Sequence, residues 1–445
     1  MPSRKTLTRR GVLKGAGLAA VAFPTFIPAS ALGLGAAPPP SDRIAMGTIG
    51  VGGRGASVLR DFLKQPDAQM IAMCDVNADN LSRAIHLANE RYANQDCKGY
   101  ADFQELLARP DIDAVLVAPP HHWHVSMGVA AAKAGKDMYM EKPMALAMSW
   151  AWDLEAAVER YGVLFQFGTQ QRSDFRFRYA AELALSGKLG KLDKALVLMP
   201  GSIRPNPIEP PPEPVPGFLD LNAWQGPALA APYRGRPNTG TRSDRSFGSM
   251  SEWGPHMLDM VGWSGIHKPE SGLRLAGVAT WSSEGGSEDC PQLYSIDLQY
   301  GTGVDVEVRS GGVMPGFWRT KYFADPQIDR RFEHANILLG SEGWVYVDRQ
   351  SINASPRSLL DGLGPAPQEA STFHHVRNFL DCVKSRQTPA AGMRVALEGE
   401  LLTHLAYIAV ETGEQLRWDA NNRRFDGSDA ANRMLHRAMR SPWRS

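Results

Sequence analysis

Two short stretches of this chain carry residue types that do chemistry together. Gly50-Val51-Gly52-Gly53-Arg54-Gly55 closes an apolar run from Ile44 and keeps G-x-G-x-x-G spacing after a strand and ahead of a helix. Such glycines let a backbone turn approach a pyrophosphate at a helix N-terminus, so the whole turn, Gly50 to Gly55, is the candidate cofactor cradle. Roughly ninety residues later Glu141-Lys142-Pro143 ends another apolar strand, and Lys142 there places an ammonium, with Glu141 behind it, beside a nicotinamide. Asp75 ends the intervening strand 20 residues beyond Gly55, where a carboxylate accepts both hydroxyls of an adenosine ribose. The same charge repels a 2′-phosphate, which favours NAD over NADP. Arg54 and Arg83 are nearby cations that work against that preference.

Pro119-Pro120-His121-His122-Trp123-His124 follows the next strand, at the edge where a doubly wound sheet binds its ligand. Pro120 with His122 or Trp123 is placed at the nicotinamide ribose, and His124 caps the helix that follows. Adjacent histidines on a strand-to-helix turn diverge, and no acid lies nearby in sequence to complete a tetrahedral site. No metal is expected.

The elements that must hold these residues alternate in the first third of the chain. Apolar strands are expected at Ile44–Ile49, Gln69–Cys74, Ala114–Ala118, Asp137–Met140 and Leu164–Phe167, with helices between them, notably Ala56–Lys64, His124–Ala134 and Ser149–Tyr161. The fold class is α/β: a Rossmann domain with a doubly wound parallel sheet over 43–167, then an α+β domain over 168–445 with a large, mostly antiparallel open sheet. Period-two alternation marks strands at Leu273–Thr280, Leu293–Tyr300, Val304–Val308 and Trp344–Val347. Pro200–Pro237 is crowded with prolines and reads as an ordered loop or flexible arm. Helical periodicity returns over His374–Thr412.

The 445 residues suffice for two or three domains. Lys+Arg 48 against Asp+Glu 47 leaves a net charge of +1, so the balance argues for neither nucleic acid nor an anionic membrane as partner. The four cysteines have no C-x-x-C spacing and read as ordinary thiols. Thr8-Arg9-Arg10-Gly11, an apolar run to Ile27 and Ala29-Ser30-Ala31 resemble a twin-arginine export signal, expected over 1–31, with 32–42 as linker. No other stretch reaches the ~18 apolar residues that span a bilayer. The mature chain is expected to be soluble and periplasmic.

The glycine turn, the histidine stretch, Ala134-Gly135-Lys136 leading into Glu141-Lys142-Pro143, and Gly248–Asp259 together resemble the glucose-fructose oxidoreductase and inositol dehydrogenase family (Gfo/Idh/MocA). Gly168-Thr169-Gln170-Gln171-Arg172, Gly343–Val347 and Leu416–Asp419 further resemble an exported branch acting on sugars and glycosides. The resemblance implies proton transfer by Lys142 and His256, with Glu252 where the family carries aspartate. It also implies a carbohydrate site containing Lys142, Gln171, Arg172, Trp224, Glu252 and His256, and a homo-oligomer formed through the second domain's sheet. Spacing of four puts Glu252 and His256 on one helix face, where the carboxylate can orient the imidazole or share a substrate hydroxyl with it. Asp259 can hold a backbone group or the histidine's second nitrogen, or stand solvated. Either Lys142 or His256 can serve as base.

Export narrows the mechanism, because a periplasm offers no soluble pool to recharge released NADH. The cofactor is therefore expected to stay bound and to return to its starting state in each turnover. Coupled oxidation and reduction of two sugars does this. So does transient oxidation of a glycoside followed by elimination, hydration and re-reduction. A non-catalytic sugar or nucleotide binder on the same fold would be expected to lack Lys142 or His256, and both are present.

Overall fold

Strands buried on both faces need no alternation, and the first sheet shows it: Ala114–Val117 and Asp137–Met140 are buried at every position. A computed structural model describes residues 38–201, 211–235, 245–268, 272–281, 290–311, 318 and 334–443. The export signal expected over 1–31 lies outside them, as do 202–210 and 236–237 of the proline-rich stretch. Residues 1–43 form one unit of the chain, whose described part carries a single 3-10 turn, Pro40–Asp42.

Strands β1 (Ile44–Ile49), β2 (Ala68–Cys74), β3 (Lys98–Tyr100), β4 (Ala114–Val117), β5 (Asp137–Met140) and β6 (Phe165–Phe167) form a wholly parallel sheet in the order 3-2-1-4-5-6. Helices α1 (Gly53–Leu63), α2 (Ala78–Tyr92), α3 (Phe103–Leu107), α4 (His124–Lys133) and α5 (Met148–Tyr161) fill the crossovers. This is the Rossmann order, with its ligand crevice where β1 and β4 diverge. Strand β3 carries no sequence signal because Lys98 and Gly99 are exposed.

Among the described residues the second sheet holds nine strands: β7 (Leu192–Met199), β8 (Leu273–Thr280), β9 (Leu293–Tyr300), β10 (Asp305–Ser310), β11 (Ala335–Gly340), β12 (Gly343–Val347), β13 (Ile352–Ser355), β14 (Leu416–Asp419) and β15 (Arg424–Phe425). Their order is β13-β12-β11-β7-β10-β9-β8-β14-β15. The pairings are antiparallel except β10 with β7. Strands β7 and β11 escape a period-two reading because both their faces are covered. Ala195 and Val197 face the main core, while Leu196, Leu198, Ile337 and Leu339 pack with Trp318 on the other side.

Among the described residues the remaining elements of α-helix are α6 (Phe175–Leu185), α7 (Leu221–Gln225), α8 (Ser249–Met257), α9 (Asp259–Trp263), α10 (Ser371–Ser385), α11 (Met393–Thr412) and α12 (Asp429–Met434). The single run expected over His374–Thr412 is two helices, because α10 stops at Arg386 in a left-handed conformation and Pro389 follows. Helix α10 returns to the first sheet, where Phe379 meets Phe62 and Tyr139 edge-on at 6.0 and 5.9 Å. Arg377 (2.6 Å) and Lys384 both grip Asp67 there. Helix α8 presses on α11 at Gly254, where a Cβ would lie 2.6 Å from Thr403. That close approach fixes the face carrying Glu252 and His256.

Candidate active site

A cleft of about 980 Å³ runs along the C-terminal edge of the first sheet. Gly50 has φ +82°, and a Cβ there would meet the Pro119 backbone nitrogen at 2.5 Å, so only glycine fits. Gly55 lies under the turn, where a Cβ would stand 2.0 Å from the Gly50 carbonyl oxygen. Gly52 and Gly53 line the cleft with open space above Gly53, and α1 starts there without a capping side chain or an acid in its first turn. Its free amides therefore suit a pyrophosphate. Val51 instead donates its amide to Asp75 Oδ2 (2.9 Å), locking the turn to the end of β2. Asp75 also accepts from the Asn77 amide (2.8 Å) and still faces the cleft, so its remaining lone pairs suit a ribose. Asp102 and Asp220 line the same cleft, Arg54 is tied to Glu141, and Arg83 stays outside. These residues fit NAD, and the acids disfavour a 2′-phosphate.

At the inner end the cleft meets a pocket of about 260 Å³, sharing Arg54, Lys142 and Glu252 as walls. The Lys142 ammonium donates to Glu252 Oε2, and His121 Nε2 lies 3.1 Å from Oε1. Burial raises the Glu252 pKa, but His121 and Lys142 outweigh it and hold this carboxyl far below its ordinary range. His256 lines the pocket nearly buried, its Nδ1 without a partner. Burial, then Arg349 and Lys142, push its pKa well down, so the ring is neutral at neutral pH. No hydrogen bond joins Glu252 to His256: the carboxylate expected to orient the imidazole faces Lys142 and His121 instead.

The loop carrying Lys142 is held from below. Fully buried Glu400 accepts the amides of Met144 (3.1 Å) and Ala145 (3.3 Å), with His404 at 3.4 Å. The ring of His124 does not act as a helix cap. It lies between the Pro143 carbonyl and that of Pro119 (2.9 Å), joining the Lys142 loop to the turn after β4.

Two expected site residues are placed elsewhere. His122 is turned from the cleft, donating through Nε2 to the Trp224 carbonyl (2.9 Å), and burial pushes its pKa down to about 3. Within the histidine stretch, Pro120, His121 and Trp123 line the cleft instead, because a 3-10 turn over His121–Trp123 sends successive side chains in different directions. Arg172 is turned from the pocket and makes two 2.7 Å bonds with buried Asp259. The alternating aim of the 3-10 turn Gln170–Ser173 leaves Gln170 and Gln171 on the pocket wall. Glu141 faces the cleft with Oε1 shared by Arg54 (3.1 Å) and Gln170 (2.8 Å). Trp224 lines the cleft rather than the small pocket.

Sequence reading gave no role to His121, Gln170, Arg349, Ser371 or Thr372, all of which line the site. Two of them carried a signal, His121 in its neighbours of the histidine stretch and Gln170 in its place beside Gln171. The others arrive from distant elements. Leu219 bridges to Asn77, and the Ala78 amide donates to the Phe218 carbonyl (2.8 Å), so the second-domain segment around α7 crosses the adenosine end. Trp443 meets Trp123 edge-on at 5.2 Å and lines the cleft with Pro442.

Residues 44–169 match the Gfo/Idh/MocA oxidoreductase family, NAD-binding Rossmann fold, and residues 328–445 match that family's C-terminal alpha/beta domain. The chain is 35% identical over 176 residues to a glycosyl hydrolase family 109 protein of Saccharopolyspora erythraea, covering 36% of this chain and 37% of the relative. A namesake from Shewanella baltica is 31% identical over 173 residues, covering 34% and 37%. The chain thus spans little over a third of the length of these curated relatives. Among solved structures, aldose-aldose oxidoreductase of Caulobacter crescentus complexed with glycerol aligns with TM-score 0.61 at 18% identity, over 84% of this chain and 99% of that one. Levoglucosan dehydrogenase complexed with NADH aligns with TM-score 0.62 at 15% identity, over 84% and 99%. At such identities the likeness establishes the fold.

Proposed function

Because the chain belongs to the Gfo/Idh/MocA oxidoreductase family, we propose that it oxidises a secondary hydroxyl of a sugar, polyol or glycoside with a tightly retained NAD. The observation that carries this reading is the meeting of Lys142, Glu252 and His256 around a small pocket at the inner end of the dinucleotide cleft. NAD held in this cleft would supply the acceptor for the hydride of the carbinol carbon. His256, kept neutral by burial, takes the hydroxyl proton, and Lys142 donates a hydrogen bond to the same oxygen. Glu252, shared by Lys142 and His121, holds the ammonium in place and balances its charge.

Retention is supported by the α7 segment and the Pro442-Trp443 tail, which flank the cleft. Export by the twin-arginine route rests on Arg9, Arg10 and the run that follows them, and makes retention necessary. Normal export of the Arg9→Lys, Arg10→Lys protein would refute it. A homo-oligomer through the second sheet is supported by Val278 on β8, 69% exposed; light scattering of the purified protein tests it. A second reading, redox-neutral glycoside hydrolysis, is favoured by the glycosyl hydrolase family 109 relatives. In it the transient ketone acidifies the neighbouring C–H, the glycosidic oxygen leaves, water adds and the ketone is reduced again.

Denaturing the purified protein and weighing the released small molecule tests the cofactor: a protein that neither carries nor binds NAD or NADP sinks both readings. A panel of aldoses, inositols and aryl glycosides in deuterated water separates them. Deuterium at the carbon beside the reacting centre with glycoside cleavage supports hydrolysis, whereas paired oxidised and reduced sugars without it support the two-sugar oxidoreductase.

A further inference from the structure

We propose that the sugar this pocket accepts carries an oxyanion, such as a carboxylate, sulfate or phosphate, held by Arg349 at the N-terminus of α10. The inference rests on the sugar-oxidising reading above and adds the substrate's charge. Three cations line the pocket of about 260 Å³: Arg54, Lys142 and Arg349. Arg54 is bound to Glu141 and Lys142 to Glu252. Arg349 stands on the turn between β12 and β13, and among the described residues no carboxylate lies within ion-pair distance of it. Its guanidinium rests on the Trp253 ring, 4.6 Å from the centroid. Arg349 is exposed at this turn, and the like charge of Arg54 opposes its protonated form while Asp174 and Glu141 favour it at longer range, so an incoming anion adds to the favourable side.

Two further features point the same way. Ser371 and Thr372, the first residues of the 15-residue α10, line this pocket, and that helix end has neither a capping side chain nor an acid in its first turn. Its free amides and dipole favour negative charge. Deeper in, His256 Nδ1 and Gln171 Oε1 are buried without partners, so polar atoms await a ligand on the wall that adjoins Lys142. A sugar with its reacting hydroxyl at His256 and Lys142 and its anionic substituent at Arg349 satisfies both groups of residues.

The test is calorimetric titration of the cofactor-loaded protein with matched pairs: glucose against glucuronate, galactose against galacturonate, and glucose against its 6-sulfate and 6-phosphate. At least one anionic sugar is expected to bind about tenfold to a hundredfold more tightly than its neutral parent, the worth of a charge-assisted fork. The arm that wins identifies the anion. Arg349→Gln should reduce that preference to within about threefold, and Arg349→Lys should restore part of it, keeping the charge but losing the fork. Neutral parents binding as tightly as every anionic sugar, a preference that survives Arg349→Gln, or absence of binding across the panel each overturn the proposal. An Arg349-dependent preference upholds the anion site whether or not the bound cofactor changes, and the oxidoreductase is refuted separately, by a protein that neither carries nor binds NAD or NADP.

Discussion

Gly55→Ala tests the cofactor site at one atom. The added Cβ would stand 2.0 Å from the Gly50 carbonyl oxygen, against about 3.4 Å for an ordinary contact, and the obstacle is backbone. The start of α1 must therefore withdraw from the turn by about 1 Å, the displacement that separates a hydrogen bond from a lost one. Overpacking of this kind costs about 1–3 kcal/mol of stability. Binding suffers more, since the pyrophosphate loses charge-assisted bonds to the helix amides, and NAD affinity should fall about a hundredfold or more. The assay is the NAD:protein ratio after denaturation, with fluorescence titration of stripped protein and a urea midpoint. Gly53→Ala is the control for stability, because nothing lies within 4 Å of its Cβ: its midpoint should hold or rise slightly. Equal stabilities for the two variants, or full NAD occupancy in Gly55→Ala, would refute the argument.

Lys142→Ala and His256→Ala should each lower turnover of a verified sugar about 10²–10⁴-fold while leaving bound NAD in place, and Glu252→Gln should retain reduced activity; an active His256→Ala removes that residue from the mechanism. Trp443→Ala removes an edge-on contact worth about 0.5–1.5 kcal/mol over the cleft, so NAD should dissociate about threefold to tenfold faster by stopped-flow trapping, and an unchanged rate would show that the tail does not retain it. Burial holds His122 at about 3, His124 and His375 at about 4, and His256 well below its ordinary 6.5, so between those values and 6.5 the unfolded chain binds protons that the folded chain does not. Stability should therefore be full above about pH 6.5 and fall as the pH drops below it, by up to ~1.4 kcal/mol per pH unit for each ring, and a urea midpoint constant from pH 7.5 to 5 would contradict that burial.

Features controlled by local pattern were legible in the residues alone. Strands β1, β5, β8 and β9 begin and end where the apolar runs do, because their burial pattern is written into adjacent residues. The glycine turn was legible because left-handed backbone and close approach each demand glycine, and Asp75 followed from its distance along a βαβ unit. The aim of side chains at the site emerged with the folded chain alone. His121 rather than His122 faces the cleft, and Arg172 turns to Asp259, because a 3-10 turn rotates each successive residue by about a third of a circle. Glu252 meets Lys142 across 110 residues of chain, and Arg349 and Ser371 join the pocket from a hairpin and a helix that share no local pattern with it. Spacing along a chain fixes neighbours within one element; which elements converge is fixed by the packing of whole faces, such as Gly254 against Thr403 and Phe379 against Phe62, and that packing is set by the volume and shape of cores assembled from distant parts of the sequence.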